Sequence, residues 1–330
     1  MNDLKVWTIR QPGGIEMLHQ ENREQPTPKP GEILIEIKAA GVNRTDIITR
    51  ENKNLSEPYP ILGVEVSGVV VSNNSDYTHL TEGTRVAGLV NNGGYAEYVT
   101  MPANRAIVLP ESISFEEGAA LSEVFLTAYQ TLYWLGELKK GERVLIHAGA
   151  SGVGTAAIQL AKHLSEATIF TTSSKKEKLI RCKELGADVL INYKEELFDE
   201  VIQEKTDGQG VDVILDFVGA PHWEMNLASC AFDARWVLIG TLGGSQIDKL
   251  DIRDLIKKRI SLKGTLLTPR SDEYKGRLTQ EFMDKVMSLI EDKTIKTIIH
   301  QVVPFDDATQ AHQIMENNEN IGKIILSRNE

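Results

Sequence analysis

Arg143-Val-Leu-Ile-His-Ala-Gly-Ala-Ser-Gly-Val-Gly154 is the stretch whose reading decides the fold. Val144 to Ile146 form the short apolar run of a strand buried on both faces. Gly149, Ser151, Gly152 and Gly154 follow at once, and Thr155 to Leu164 reads as a helix with small residues on one side. Strand, glycine turn and helix together make a dinucleotide pyrophosphate site, where first-turn N–H groups meet the anion. Gly149 permits the tight turn. Gly152 and Gly154 allow phosphate approach and press the helix onto the sheet. Ser151 stands where the second glycine of G-x-G-x-x-G would be, so the match is imperfect.

Downstream, the same alternation continues. Strands are expected over 168–171, 188–191, 211–216 and 236–239, with helices near 153–164, 175–185, 195–205 and 223–231. A helix over 121–134 precedes them, and Arg259 to Leu267 reads as an edge strand. This pattern predicts a doubly wound parallel sheet. Upstream, residues 4–110 are strand-rich and short of helical periodicity, which points to a β-rich domain of Greek-key or barrel character. The tail has a helix near 272–291, another from Asp306 as N-cap to about Asn317, and a final strand at Gly322-Lys-Ile-Ile-Leu. It is too small for its own core and is expected to complete the first domain. The fold class is therefore α/β, with a β-rich domain over 1–118 and 268–330 and a Rossmann domain over 119–267.

Composition bounds the function. The chain has 330 residues, 41% apolar and 25% charged, with a net charge of −11. That is a soluble globular composition, and the acidic balance disfavours binding to nucleic-acid phosphates. No run of about 18 apolar residues predicts a membrane helix. The N-terminus shows no signal-peptide core, so Cys182 and Cys230 are expected as reduced thiols in a cytoplasmic protein.

The second strand identifies the dinucleotide. An NAD site ordinarily ends this strand in an acid that binds the ribose 2′-OH. Here it runs Thr168-Ile-Phe-Thr171 and on through Thr-Ser-Ser-Lys-Lys-Glu-Lys178. A carboxylate would repel a 2′-phosphate, whereas hydroxyls and lysines attract it. Ser173, Ser174 and Lys178 therefore favour NADPH, although lysines also suit a solvated helix start.

Further stretches carry a family resemblance over nearly the whole chain: 39–46, 61–68, 93–99, 126–129, 147–154, 185–188, 240–244 and 322–325. The chain resembles the medium-chain dehydrogenase/reductase superfamily, in its zinc-free NADPH:quinone oxidoreductase branch. The resemblance implies a GroES-like catalytic domain and a cofactor held between two domains. It implies a homodimer joined through the strand near 259–267. It places Asn43 and Thr127 at the nicotinamide end and Gly152, Val153 and Gly154, beside Ser151, at the pyrophosphate. Lys178, Tyr193 and a strand-end serine fall at the 2′-phosphate, the Gly240–Gly244 loop along the cofactor, and Asn320 over it.

The residue readings leave alternatives. Asn43 also suits a helix cap, Thr127 and His147 suit packing, and Tyr193 suits a sheet-edge cover. Glu65 is expected to pair with a base, and Arg44 with Asp46. The zinc ligands of alcohol dehydrogenases fall on Asn43, Val64 and Glu123, and valine cannot ligate, so no zinc is expected. Hydride would pass from NADPH to a small acceptor. A quinone is the leading choice and an α,β-unsaturated aldehyde or ketone the alternative, because helix-and-loop residues 47–54 lack the aromatics that would stack on a flat ring. An NADPH-binding protein with little turnover is a further reading.

Overall fold

A computed structural model describes residues 3–328 and divides the chain into two units. One comprises the residues up to Leu126 together with those from Arg270; the other is Thr127–Pro269.

The first unit begins with a hairpin, β1 (Asp3–Ile9) and β2 (Leu18–Glu24). There follow β3 (Glu32–Val42), α1 (Arg44–Glu51), β4 (Glu65–Asn74), β5 (Arg85–Leu89), β6 (Tyr98–Pro102) and β7 (Ile107–Val108). Two helices come next, α2 (Phe115–Ala119) and α3 (Ser122–Tyr129). Strand β3 is the hub: it pairs antiparallel with β4, with β6 and with the C-terminal strand. Its apolar side chains Ile33, Ile35 and Ile37 lie in the unit's core. The helix expected to Trp134 is α-helical only to Tyr129 and continues as π-helix over Gln130–Leu135. Gly136 N–H bonds the Thr131 carbonyl five residues back, while Thr131 Oγ1 donates to the Thr127 carbonyl at 2.8 Å. A hydroxyl entering the ladder loosens it in this way.

The second unit holds β8 (Arg143–Ile146), α4 (Gly152–Ser165), β9 (Thr168–Ser173), α5 (Lys176–Glu184), β10 (Val189–Asn192) and α6 (Phe198–Lys205). It continues with β11 (Val211–Asp216), α7 (Trp223–Ser229), β12 (Cys230–Leu238), α8 (Arg253–Lys258) and β13 (Ser261–Gly264). All six strands are parallel, in the order β10-β9-β8-β11-β12-β13. The first strand of the series is central and the order reverses beside it, as in a doubly wound dinucleotide fold. Val144, Leu145 and Ile146 are fully buried, which is what an apolar run flanked by helices on both faces requires.

The chain then returns to the first unit with α9 (Asp272–Glu291), β14 (Ile299–Pro304), α10 (Ala308–Glu316) and β15 (Lys323–Ser327). Strand β15 pairs with β3, Ile325 opposite Gly41. The expected cap at Asp306 is corrected: Phe305–Asp307 is a short 3₁₀ turn, and Asp307 precedes α10. The Asp306 carboxylate instead accepts a hydrogen bond from Gln20 at 2.7 Å.

Candidate functional site

The glycine turn follows β8 directly. Its left-handed position falls on Ala148, at φ 50°, and on no glycine. Glycine is needed for closeness instead. A Cβ on Gly149 would lie 2.0 Å from Thr171 Oγ1 on β9, and one on Gly154 would lie 2.4 Å from the Ala148 carbonyl. Ser151 is the N-cap of α4, and its Oγ accepts from Gly154 N–H at 3.0 Å. The serine therefore serves as the cap of the cradle. The N–H groups of Gly152 and Val153 precede the first intrahelical bond and point along the helix axis toward an anion. The turn fits a dinucleotide phosphate.

Ser173 ends β9, and Ser174 follows it. Gly149 N–H bonds the Thr172 carbonyl at 3.1 Å, so the strand tip and the turn are adjacent. No acid stands at that tip. Lys178, in the first turn of α5, is half-buried, and desolvation, then the Lys175 charge, lower its pKa. Tyr193 follows β10; it is exposed and meets His222 edge-on at 5.7 Å between ring centres. Gly240 follows β12 and donates to the Asp216 carbonyl at the end of β11. These residues all sit at or just beyond the carboxyl ends of the parallel strands.

His147 lies beneath the turn and is fully buried. Asn226 spends its Nδ2 on Asp216 Oδ2 at 3.1 Å, so its Oδ1 accepts from His147 Nε2 at 2.8 Å. The other ring nitrogen, Nδ1, is then the acceptor for Thr172 Oγ1 at 2.9 Å. Burial holds this imidazole neutral, its pKa lowered to about 4, and His222 against it is lowered to about 4 as well. Asp216 also accepts from Val218 and Gly219 N–H and from Trp236 Nε1. His147 is thus a packed strut.

In the first unit a different network forms where β3, β4, β15, α1 and α3 meet. Lys323, which opens β15, is 2% exposed. Its three ammonium donors go to Val42 O at 3.0 Å, Asn43 Oδ1 at 2.6 Å and Glu65 Oε1. Asn43 also donates from Nδ2 to Glu65 Oε1 at 3.0 Å. Glu65 Oε2 accepts from the backbone N–H of Glu123 at 2.7 Å. Asp46 accepts from Asn43 N–H at 2.8 Å, Gly63 N–H at 3.2 Å and Tyr95 O–H at 3.2 Å. Burial pushes the Asp46 carboxyl up to about 7, against the lowering effect of Asn43 N–H and Lys323. Glu123 is pushed up to about 7 by desolvation and then by the Glu65 charge.

Asn43 therefore stands at the N-cap position of α1 with its side chain turned to Glu65 and Lys323. Glu65 has its base, and the base is Lys323. The expected Arg44–Asp46 pair is corrected. Arg44 donates to Met315 O and Asn318 Oδ1 on the far side, because residues two apart on a helix do not face one another. Thr127 lies on α3, buried, four residues after Glu123. Asn320 donates to the Gly322 carbonyl at 2.7 Å. Sequence reasoning passed over Lys323; the signal was a lysine opening an otherwise apolar strand.

Zinc does not fit this donor set. Val64 offers no ligand atom, and the oxygens of Asn43 and Glu65 already hold an ammonium ion. A divalent cation there would meet a buried like charge. Cys182 and Cys230 are both free and buried in the second unit, their thiols pushed up to about 12 by burial. Among the described residues no helix is long and apolar enough to cross a membrane.

A doubly wound six-stranded sheet with a glycine turn in one unit, and a β-rich unit completed by the C-terminus, together define a dinucleotide-dependent enzyme class. The chain belongs to the medium-chain dehydrogenase/reductase superfamily. Two families match it: the alcohol dehydrogenase GroES-like domain over residues 29–111 and the zinc-binding dehydrogenase over residues 152–284. It is similar to the Escherichia coli quinone oxidoreductase solved in complex with NADPH, at 30% identity and TM-score 0.89, covering 98% of this chain and 100% of that one. It is 29% identical to the rat quinone oxidoreductase over 95% of this chain and 94% of the relative. It is also 28% identical to a mycocerosic acid synthase-like polyketide synthase of Mycolicibacterium smegmatis; there it covers 96% of this chain and spans only 15% of the relative.

Proposed function

We propose that this protein is a zinc-independent reductase that uses NADPH to reduce a quinone. The observation that carries the reading is the end of β9, where Ser173 and Ser174 stand beside the glycine turn in place of a ribose-binding acid. Similarity to the Escherichia coli quinone oxidoreductase solved with NADPH supports it. When bound, NADPH supplies the hydride. The residues of the chain do the remainder. Gly152 and Val153 N–H groups bind the pyrophosphate, and Ser173, Ser174 and Lys178, with Tyr193, hold the 2′-phosphate. Asn43 and Thr127 face the nicotinamide end, Gly240 borders the cofactor and Asn320 covers it. The Lys323 ammonium and its partners take the place of a metal among the oxygens of Asn43 and Glu65.

Reduction of an α,β-unsaturated aldehyde or ketone is the second reading. It is favoured by residues 47–54, which hold no aromatic to stack on a flat ring; Tyr59, the next aromatic in sequence, is partly buried and packs against the core of the first unit. A homodimer is supported by β13, an edge strand with Leu262 and the nearby Ile256 and Leu266 exposed; sedimentation as a monomer at micromolar concentration would remove it.

The test is a titration of NADPH and NADH on wild type and on Lys178→Ala, followed by an acceptor panel. Loss of a charge-assisted contact worth about 1.5–3 kcal/mol should weaken NADPH roughly tenfold to a hundredfold and leave NADH unchanged. Equal binding of both cofactors by wild type overturns the cofactor assignment. Turnover of alkenals without any quinone selects the second reading. Binding of NADPH with no acceptor reduced makes the protein a binding protein.

A further inference from the structure

The sheet of the second unit reverses its order between β8 and β11. The chain runs from β8 through β9 to β10 on one side and then places β11 on the other. The crevice beyond the carboxyl ends at such a point is where ligands bind in open α/β sheets. A stiff turn stands there, directly after β11. Asp216 Oδ1 accepts from Val218 N–H at 2.8 Å and from Gly219 N–H at 3.0 Å. Ala220 N–H donates to the Gly244 carbonyl at 3.0 Å. The 3₁₀ turn Ala220–His222 contains Pro221, and His222 N–H closes on the Gly219 carbonyl at 3.0 Å. The turn therefore holds His222 in a set place. Between ring centres, its imidazole lies 4.7 Å from that of His147, which follows β8, and 5.1 Å from Phe198. Tyr193, which follows β10, is 5.7 Å away. The ring thus reaches from the switch point toward the β9–β10 side, where Ser173 and Lys178 stand.

His222 differs from His147 in what its nitrogens do. Both ring nitrogens of His147 are bonded. His222 is 7% exposed, and its Nδ1 is buried with no hydrogen-bond partner among the described residues. Its Nε2 is neither sealed nor bonded to another described residue. A buried N–H without an acceptor is rare, so the proton sits on Nε2. Burial, then the neighbouring His147, keeps the ring uncharged near neutral pH. His222 therefore offers one N–H from a flat, neutral ring on a preorganised turn, flanked by the exposed Tyr193. A phosphate calls for charge, which this ring lacks. A flat heterocycle with ring-nitrogen acceptors suits it. We propose that His222 recognises the adenine of NADPH, its Nε2–H donating to a ring nitrogen of the base, with Tyr193 beside it. The inference rests on the reductase reading above and gives a role to a residue that reading leaves unused. Adenine is common to NADPH and NADH. His222 accordingly sets affinity for adenine nucleotides, and Lys178 the preference for a 2′-phosphate.

The experiment measures binding of NADPH, 2′,5′-ADP and 5′-AMP to wild type, His222→Phe and His222→Gln by calorimetry. His222→Phe keeps a flat ring and removes the N–H. Loss of one hydrogen bond should weaken all three ligands by the same factor, roughly threefold to tenfold. His222→Gln, which keeps an N–H, should recover part of that loss. Lys178→Ala should weaken NADPH and 2′,5′-ADP and spare 5′-AMP, so base and 2′-phosphate are read separately. Wild-type affinity of His222→Phe for all three ligands overturns the inference and leaves the reductase reading standing. A loss confined to the two ligands that carry a 2′-phosphate does the same. If His222→Phe does not fold, the imidazole ¹⁵N spectrum of wild type decides. There 5′-AMP should shift the Nε2 signal of a neutral imidazole, and no shift overturns the inference. Wild type that binds neither NADPH nor 2′,5′-ADP overturns the reductase reading, and this inference with it.

Discussion

The network of Asp46, Glu65, Glu123 and Lys323 in the first unit and the network of Thr172, His147, Asn226 and Asp216 in the second are both buried, and they are built on opposite principles. In the second, every donor has an acceptor in sequence: Thr172 to His147, His147 to Asn226, Asn226 to Asp216. The imidazole is neutral, and the one carboxylate is surrounded by backbone N–H groups and the Trp236 indole. Such a network rigidifies the strand ends beneath the glycine turn. In the first, opposite charges meet directly: the Lys323 ammonium contacts the Glu65 carboxylate, whose other oxygen accepts from the Glu123 main chain, and Asp46 lies within reach of both charges. A histidine at a strand end draws attention as an acid–base group, yet burial has closed it.

The largest way to break this comparison is Lys323→Met. It leaves Glu65 charged and uncompensated in the interior, which costs about 3–5 kcal/mol. Urea denaturation should show that loss, and adding Glu65→Gln should recover most of it. A cost below about 1 kcal/mol would mean that the first network is held by packing and not by charge.

Acid and base should then act on the two networks in opposite directions. His147 and His222 are neutral in the fold at pKa about 4, while the unfolded chain takes up protons below about 6.5. Their contribution is present above about 6.5 and is lost as pH falls toward 4. Asp46 behaves in reverse: it is raised to about 7 in the fold, so its contribution is largest near pH 4 and is lost as pH rises through 7. Denaturation across this range should give two opposing limbs. His147→Gln should flatten the acid limb only, and flattening of both would show the networks to be coupled.

The smallest effect belongs to the cap between the second network and the cofactor turn. Ser151→Ala should cost about 1 kcal/mol of stability and Ser151→Gly only a few tenths. A thermal scan in which alanine and glycine are equally harmful would refute the capping role.

Elements with a local cause were legible. The strand at 211–216 and the helix at 272–291 stand as expected, because apolar runs and a Ser271 cap mark them. Strand β12 starts at Cys230, earlier than the expected Trp236, because its first residues, Cys230-Ala-Phe-Asp, lack a clean period and pair through a bulge. The π-turn after Tyr129 depends on how Thr131 bonds its own helix, which periodicity does not report. In the site, the glycine turn and the unacidic strand tip are contiguous in sequence and were readable. The acid cluster is assembled from residues 43, 46, 65, 123 and 323, and no local pattern joins them.

By itself the sequence determined the doubly wound sheet, the phosphate turn with its serine and the absence of soft ligands at positions 43 and 64. Each of these is set by residue type within a few positions, where periodicity, glycine and donor chemistry act directly. Tertiary structure alone decided that Lys323 would occupy the centre of the oxygen cluster and that burial would hold His147 neutral. Those are properties of burial and of charges brought together across nearly the whole chain, and the energy of a charge depends on the surroundings it is folded into.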